Sequence, residues 1–101
     1  MRIFNDNRVD RTIRKLPYTD QSQIVGSIQL LRDYGFSLSA LYLKKLIKDI
    51  WELRSGRYRL LFGMIKEKVI IVNIFFKKSQ KTPKNEIELA VKRLKIYEKQ
   101  I

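Results

Sequence analysis

The sequence predicts an α+β fold, a small antiparallel-rich sheet packed against N-terminal helices and a C-terminal helix. Three observations predict it. Apolar residues recur at helical spacing through the first third, at Val9, Ile13 and Leu16 and then at Ile24, Ile28 and Leu31. The period falls to two between residues 49 and 76, and helical spacing returns from residue 82 onward behind a clear start signal. Helices, then an antiparallel meander, then a helix suit one sheet covered by helices. At 101 residues and 45% hydrophobic content, the chain has the length of one domain and enough apolar material for a core. Residues 1–101 are therefore expected to form a single domain.

Each element has its own signal. Residues 5–16 are expected to be a short helix, ended by Pro17, which cannot continue an i→i−4 ladder. Thr19 or Asp20 is the expected cap of the next helix, and Gly35 its terminator. Residues 38–47 (LSALYLKKLI) suggest a further short helix or helical turn with Leu38, Leu43 and Leu46 inward. "DIWELR" alternates, with Trp51 and Leu53 on one face and Glu52 and Arg54 on the other. Ser55 and Gly56 supply a turn into "RYRLLFGMI", where Tyr58, Leu60 and Phe62 oppose Arg57, Arg59 and Leu61. "KEK" at 66–68 is a charged turn without glycine. "VIIVNIFF" is apolar on both faces, which places it inside the sheet rather than at its edge. Thr82 as N-cap and Pro83 at N1 open the last helix, with Ile87, Ala90, Leu94 and Tyr97 inward.

Composition removes several chemistries. Without cysteine there are no disulfides and no thiolate metal sites, and without histidine the commonest general base and metal ligand is missing. No glycine-rich phosphate loop and no paired carboxylates are evident, so neither a metal nor a cofactor is expected. No run of 18 apolar residues spans a membrane, and the charged N-terminus lacks a signal-peptide core, so a cytoplasmic protein is expected. What remains is charge: 22 Lys and Arg against 10 Asp and Glu, a net +12. Such a field suits a polyanion, nucleic acid above all, although an acidic protein is also compatible.

The cations concentrate at strand ends: Arg54, Arg57, Arg59, Lys77, Lys78 and Lys81. If the second and third strands pair through the 66–68 turn, Arg59 falls beside Phe75 or Phe76, and Arg57 beside Lys77 or Lys78. The cluster then gathers at one end of the sheet, costly alone and favourable against phosphate. Ordinary alternatives are pairing of Arg54 with Glu52 or Glu67, and a solvated strand exit for Lys77, Lys78 and Lys81. Tyr58, Phe62, Phe75 and Phe76 could stack on bases, but alternation assigns Tyr58 and Phe62 to the core.

These residues carry a resemblance. Lys45-Leu46, "WELR" at 51–54, Tyr58-Arg59, "FFKKSQKTP" at 75–83, and then Glu86, Ile87, Ala90, Arg93 and Tyr97 resemble the phage-derived branch of the RelE/HigB toxin superfamily. "KLP" at 15–17 and "LLRDYG" at 30–35 fit as well, so the likeness runs from about residue 9 nearly to the end. It implies a type II toxin whose activity is ribosome-dependent cleavage of translated mRNA. It also implies a helix-turn-helix antitoxin as partner, with a heterotetramer of toxins and antitoxins as one assembly. Arg59 would stabilise the transition state, and Lys77 and Lys78 would bind phosphate or move protons. Arg54, Arg57 and Lys81 would hold RNA backbone.

Two departures stand out. Many relatives carry histidine at the position of Asn73, and an amide is no acid or base near neutral pH, which leaves the base to a lysine of depressed pKa in the cluster or to ribosomal groups. Relatives also open with a well-formed strand where this chain has only MRIF, so a lost or shortened edge strand is expected. The alternative function is a catalytically weak or inactive toxin-like domain that binds antitoxin or RNA.

Overall fold

The computed structural model describes residues 1–100. In chain order these form β1 (Arg2–Asn5), α1 (Asn7–Arg14), α2 (Tyr18–Tyr34), a 3-10 turn (Gly35–Ser37), β2 (Leu43–Ile47), β3 (Ile50–Ser55), β4 (Tyr58–Ile65), β5 (Lys68–Phe76) and α3 (Lys84–Gln100). The sheet runs β1-β5-β4-β3-β2, antiparallel except where β1 lies parallel to β5. The α+β expectation is met, with the apolar β5 in the sheet interior.

Two cores follow from strand alternation. Leu43, Leu53, Leu60, Phe62, Val69, Ile71 and Ile74 pack with α1 and α2 residues Val9, Ile13, Ile24, Ile28 and Leu31. On the other face Ile50, Leu61, Ile65, Ile70 and Val72 pack with Ala90 and Leu94 of α3. A bulge in β5 modifies the alternation: Leu61 faces Asn73 but Phe62 faces Ile71, so Val72 is the extra residue. Val72 and Asn73 consequently both turn toward α3.

Local expectations were corrected in three places. Residues 43–47 are a strand, not a helix. Leu43 and Leu46, three apart, would share a helical face but lie on opposite faces of the sheet, one in each core, and a short apolar run fits either reading. The α2 cap is Pro17, whose carbonyl accepts from Gln21, while Asp20 instead accepts from the Tyr58 hydroxyl at 3.2 Å. At α3 the Pro83 carbonyl accepts from Glu86 and Ile87, and the Thr82 hydroxyl turns away to Glu52. The opening residues make an edge strand of four residues, in accord with the shortened strand expected there.

The turns show their chemistry. Gly56 (φ 58°) and Arg57 connect β3 to β4, with glycine at the first central position as in a type II′ hairpin. Lys66 (φ 48°) and Glu67 (φ 68°) connect β4 to β5, both left-handed without glycine. Helix α3 is tied down along its length. Asn73 donates to the Glu86 carbonyl (3.1 Å) and Oε1 (3.0 Å), Arg93 Nη1 to the Val72 carbonyl (2.8 Å), and the Tyr97 hydroxyl to Asp6 (2.7 Å). Asp6 is buried, caps α1 and takes two further bonds from the Arg8 guanidinium, which hold its carboxyl well below the usual carboxylate range. Among the described residues, no helix is long and apolar enough to cross a membrane.

Candidate functional site

The cationic residues meet where β3, β4 and β5 end together. Arg59 pairs with Arg54 on β3 and with Phe75 on β5. The Lys77 amide then bonds the Arg57 carbonyl (2.7 Å), carrying the ladder one step past the strand. An open cleft of about 390 Å³ results, lined by Arg57, Arg59, Lys77, Lys78, Ser79 and Gln80. Four of the six cations singled out in the sequence line it.

Arg59 is the best-held of them. Its side chain is 14% exposed, and Nη1 donates to the carbonyls of Gly56 (2.8 Å) and Tyr58 (2.9 Å). Its Nε is buried without a hydrogen-bond partner, 4.0 Å from Oε1 of Glu52. Burial and the neighbouring Arg54 and Arg57 lower its pKa, while Glu52 raises it. A guanidinium so placed stays charged.

Lys77 is half-buried and its pKa is lowered, first by burial and then by Arg59, Arg54 and Lys44, against the opposing pull of Glu52. A depressed pKa enlarges the share of neutral amine, the form that accepts a proton. Lys78 is exposed at the cleft wall. Arg57 departs from the expected arrangement: it sits in the turn rather than in β4, so alternation does not orient it. Its guanidinium lies over the Phe76 ring (5.5 Å) and donates to the Lys77 carbonyl (3.3 Å), forming the rim. Phe76, 47% exposed and edge-on to Tyr58, adds an aromatic surface beside it.

Arg54 and Lys81 do not line the cleft. Arg54 reaches back to Glu52 Oε2 (3.5 Å), the pairing that β3 alternation allowed, and the Lys81 carbonyl accepts from Ser79 in the exposed connection to α3. The Phe62 ring is buried in the α1–α2 core and the Tyr58 hydroxyl is engaged by Asp20, in accord with their assignment to packing.

Sequence reasoning missed two residues. Glu52 is a fully buried carboxylate below the cations, with Arg54, Arg59 and Thr82 around it. Alternation had placed it on the Arg54 face, which was signal enough. Lys44 lies opposite Glu52 on β2 and adds to the field at Lys77, and reading residues 38–47 as helical concealed it. Among the described residues no three acidic, histidine or cysteine side chains gather into a metal-holding set. The arrangement can bind a phosphate between one rigid guanidinium and two lysines, one of them, Lys77, of lowered basicity.

Both the sequence and the fold have known relatives. Residues 11–95 match the family described as "Phage derived protein Gp49-like". The "Probable endoribonuclease HigB1" of Mycobacterium tuberculosis (strains CDC 1551 / Oshkosh and ATCC 25618 / H37Rv) is 34% identical over 89 residues, 84% of this chain and 70% of that protein. In structure the chain is similar to a chain of the archaeal RelE-RelB complex of Pyrococcus horikoshii OT3, with TM-score 0.66 and 17% identity over 75% of this chain and 93% of that one. It is also similar to the isolated E. coli RelE toxin, with TM-score 0.59 and 23% identity over 92% and 97%. At such identities these two structures establish the fold.

Proposed function

The chain belongs to the Gp49-like family within the RelE/HigB superfamily of toxins, and from that premise we propose that it is a toxin of a type II toxin–antitoxin pair that cleaves mRNA on the ribosome. The observation that carries the reading is the convergence of Arg57, Arg59, Lys77 and Lys78 on one open cleft of that fold.

RNA carries its own nucleophile. The 2′-oxygen attacks the adjacent phosphorus, the bond to the 5′-oxygen breaks, and the products are a 2′,3′-cyclic phosphate and a 5′-hydroxyl. The protein must align these atoms, move two protons and stabilise charge on the equatorial oxygens. Arg59 is fixed by two backbone carbonyls and faces the cleft as the charge stabiliser. Lys77, as neutral amine, takes the 2′-proton, which supplies the base that Asn73 cannot. Lys78, exposed at the cleft wall, binds the phosphate and protonates the leaving oxygen. Arg57 holds the flanking backbone and Phe76 offers a face for a base. Arg54 and Lys81, outside the cleft, extend the basic surface for RNA.

The partner in this reading is a helix-turn-helix antitoxin whose acidic groups cover the same cations; two of the structural relatives are complexes of RelE with RelB. The test is induced expression with and without the neighbouring antitoxin frame, with mRNA ends mapped. Growth arrest and cuts inside translated frames are expected, relieved by the antitoxin. Arg59→Ala with Lys78→Ala should reduce cleavage by about 10²–10³-fold. Intact mRNA under the wild-type protein overturns the activity, and a double variant as active as wild type overturns the site. Binding without cleavage would instead support the inactive toxin-like alternative, which the engagement of Asn73 by Glu86 favours.

A further inference from the structure

Glu52 is the unexplained member of the site. A carboxylate with 1% of its side chain exposed sits beneath a cleft built for phosphate, where its charge opposes the ligand. Burying a carboxylate also carries a large desolvation cost before any pairing. An apolar residue would satisfy packing, and the cations could disperse into solvent. The contacts of Glu52 explain its presence.

Its two oxygens face different parts of the site. Oε2 takes the Arg54 Nε at 3.5 Å, and Oε1 lies 4.0 Å from the buried Arg59 Nε and accepts from the Thr82 hydroxyl. Thr82 belongs to the exposed connection between β5 and α3 that begins with Lys77 and Lys78. From residue 78 to residue 83, the Thr82 hydroxyl is the one side chain hydrogen-bonded to the sheet among the described residues. One buried carboxylate therefore touches both halves of the cationic set, the guanidinium on β4 and the segment that carries the lysines.

We infer that Glu52 is the positioning residue of this site: it holds Arg59 from below by charge and, through Thr82, fixes the 77–83 segment so that Lys77 and Lys78 face the same phosphate as Arg59. This rests on the nuclease reading for its consequence and on the geometry alone for the restraint itself. The carboxylate weakens ground-state attraction for RNA and contributes alignment in the transition state, the division expected of preorganised sites.

The experiment compares Glu52→Gln, Thr82→Val and Thr82→Ser with wild type in three measurements. These are cleavage of a translated mRNA at saturating ribosomes, anisotropy binding of a short single-stranded RNA, and solvent exchange of the arginine Nε–H groups by ¹⁵N NMR. Glu52→Gln should lower the cleavage rate by about 10²-fold, the scale of a 1 Å misplacement. Its RNA affinity should be equal to or tighter than wild type, and Arg59 Nε–H should exchange faster. Thr82→Val should lose rate with affinity retained, and Thr82→Ser, which keeps the hydroxyl, should keep the rate. A purely structural role would move melting temperature and leave cleavage per folded molecule unchanged. Folded Glu52→Gln and Thr82→Val proteins that cleave at the wild-type rate overturn the inference. If Glu52→Gln does not fold, the Thr82→Val and Thr82→Ser pair decides alone. If the wild type cleaves nothing, the nuclease reading falls while Arg59 exchange still decides the restraint: unchanged exchange in the folded variants overturns it.

Discussion

The four cleft cations make a quantitative prediction about salt. Each phosphate charge neutralised on a single strand contributes about −0.7 to the slope of log affinity against log salt. Arg59, Lys77 and Lys78 on one phosphate and Arg57 on its neighbour give a slope of about −1.4, and so a loss of affinity of about sevenfold between about 50 and 200 mM salt. Arg57→Gln releases the neighbouring phosphate, which halves the slope to about −0.7 and shrinks the same loss to about 2.6-fold. Neutralising Arg11 and Arg14, exposed on α1 away from the cleft, should leave the slope near its wild-type value. The assay is fluorescence anisotropy of a labelled single-stranded RNA titrated at four or five salt concentrations. The reasoning is refuted if Arg57→Gln leaves the slope unchanged, or if the α1 pair lowers it as much. Either result would mean that RNA is held by the diffuse +12 field and not by the cleft.

Three further outcomes test the scaffold. A Cβ added at Gly63 would come within 2.4 Å of Leu94 Cδ2 and 3.0 Å of the Asp49 carbonyl, so Gly63→Ala should destabilise by about 1–3 kcal/mol in urea unfolding, partly relieved by Leu94→Ala in a double-mutant cycle. Glu67→Gly should stabilise by about 1 kcal/mol, seen as a raised urea midpoint, because Glu67 holds φ 68° in the β4–β5 turn. Asp6 is held well below its ordinary 3.8, chiefly by the Arg8 hydrogen bonds, so its contribution is fully present above that value and is lost as pH falls through the folded value. Asp6→Asn should therefore cost about 1–3 kcal/mol at neutral pH, with the difference from wild type narrowing below about pH 4 in urea midpoints taken across pH.

Much of the sheet was legible because its signal is local. Period-two alternation over residues 49–76 gave three strands whose observed bounds differ by no more than one residue at either end, and Arg59 does lie beside Phe75. That register was readable because the 66–68 turn is short and each slip would move every side chain to the other face. Residues 43–47 were misread because five residues with leucines three apart satisfy both periods, and only pairing with β3 resolves them. The caps of α2 and α3 were displaced for a related reason. Asp20 and Thr82 had better partners in Tyr58 and Glu52, residues distant in sequence.

By itself, the sequence determined the charge, the missing histidine and cysteine, the alternating faces of the central strands and the motif that marks the family. These depend on composition and on neighbours a few residues away. Tertiary structure decided the rest: that β1 joins β5 in parallel, that Lys44 stands across from Glu52, that a bulge at Val72 turns Asn73 toward Glu86, and that Arg54 leans inward while Arg57 forms the rim. Above all it placed one carboxylate where it touches both Arg59 and the segment bearing the two lysines. Charge in a sequence says that anions are attracted. Where that charge is held, and by which buried counter-ion, depends on contacts between residues about 30 positions apart, and only the packed chain brings them together.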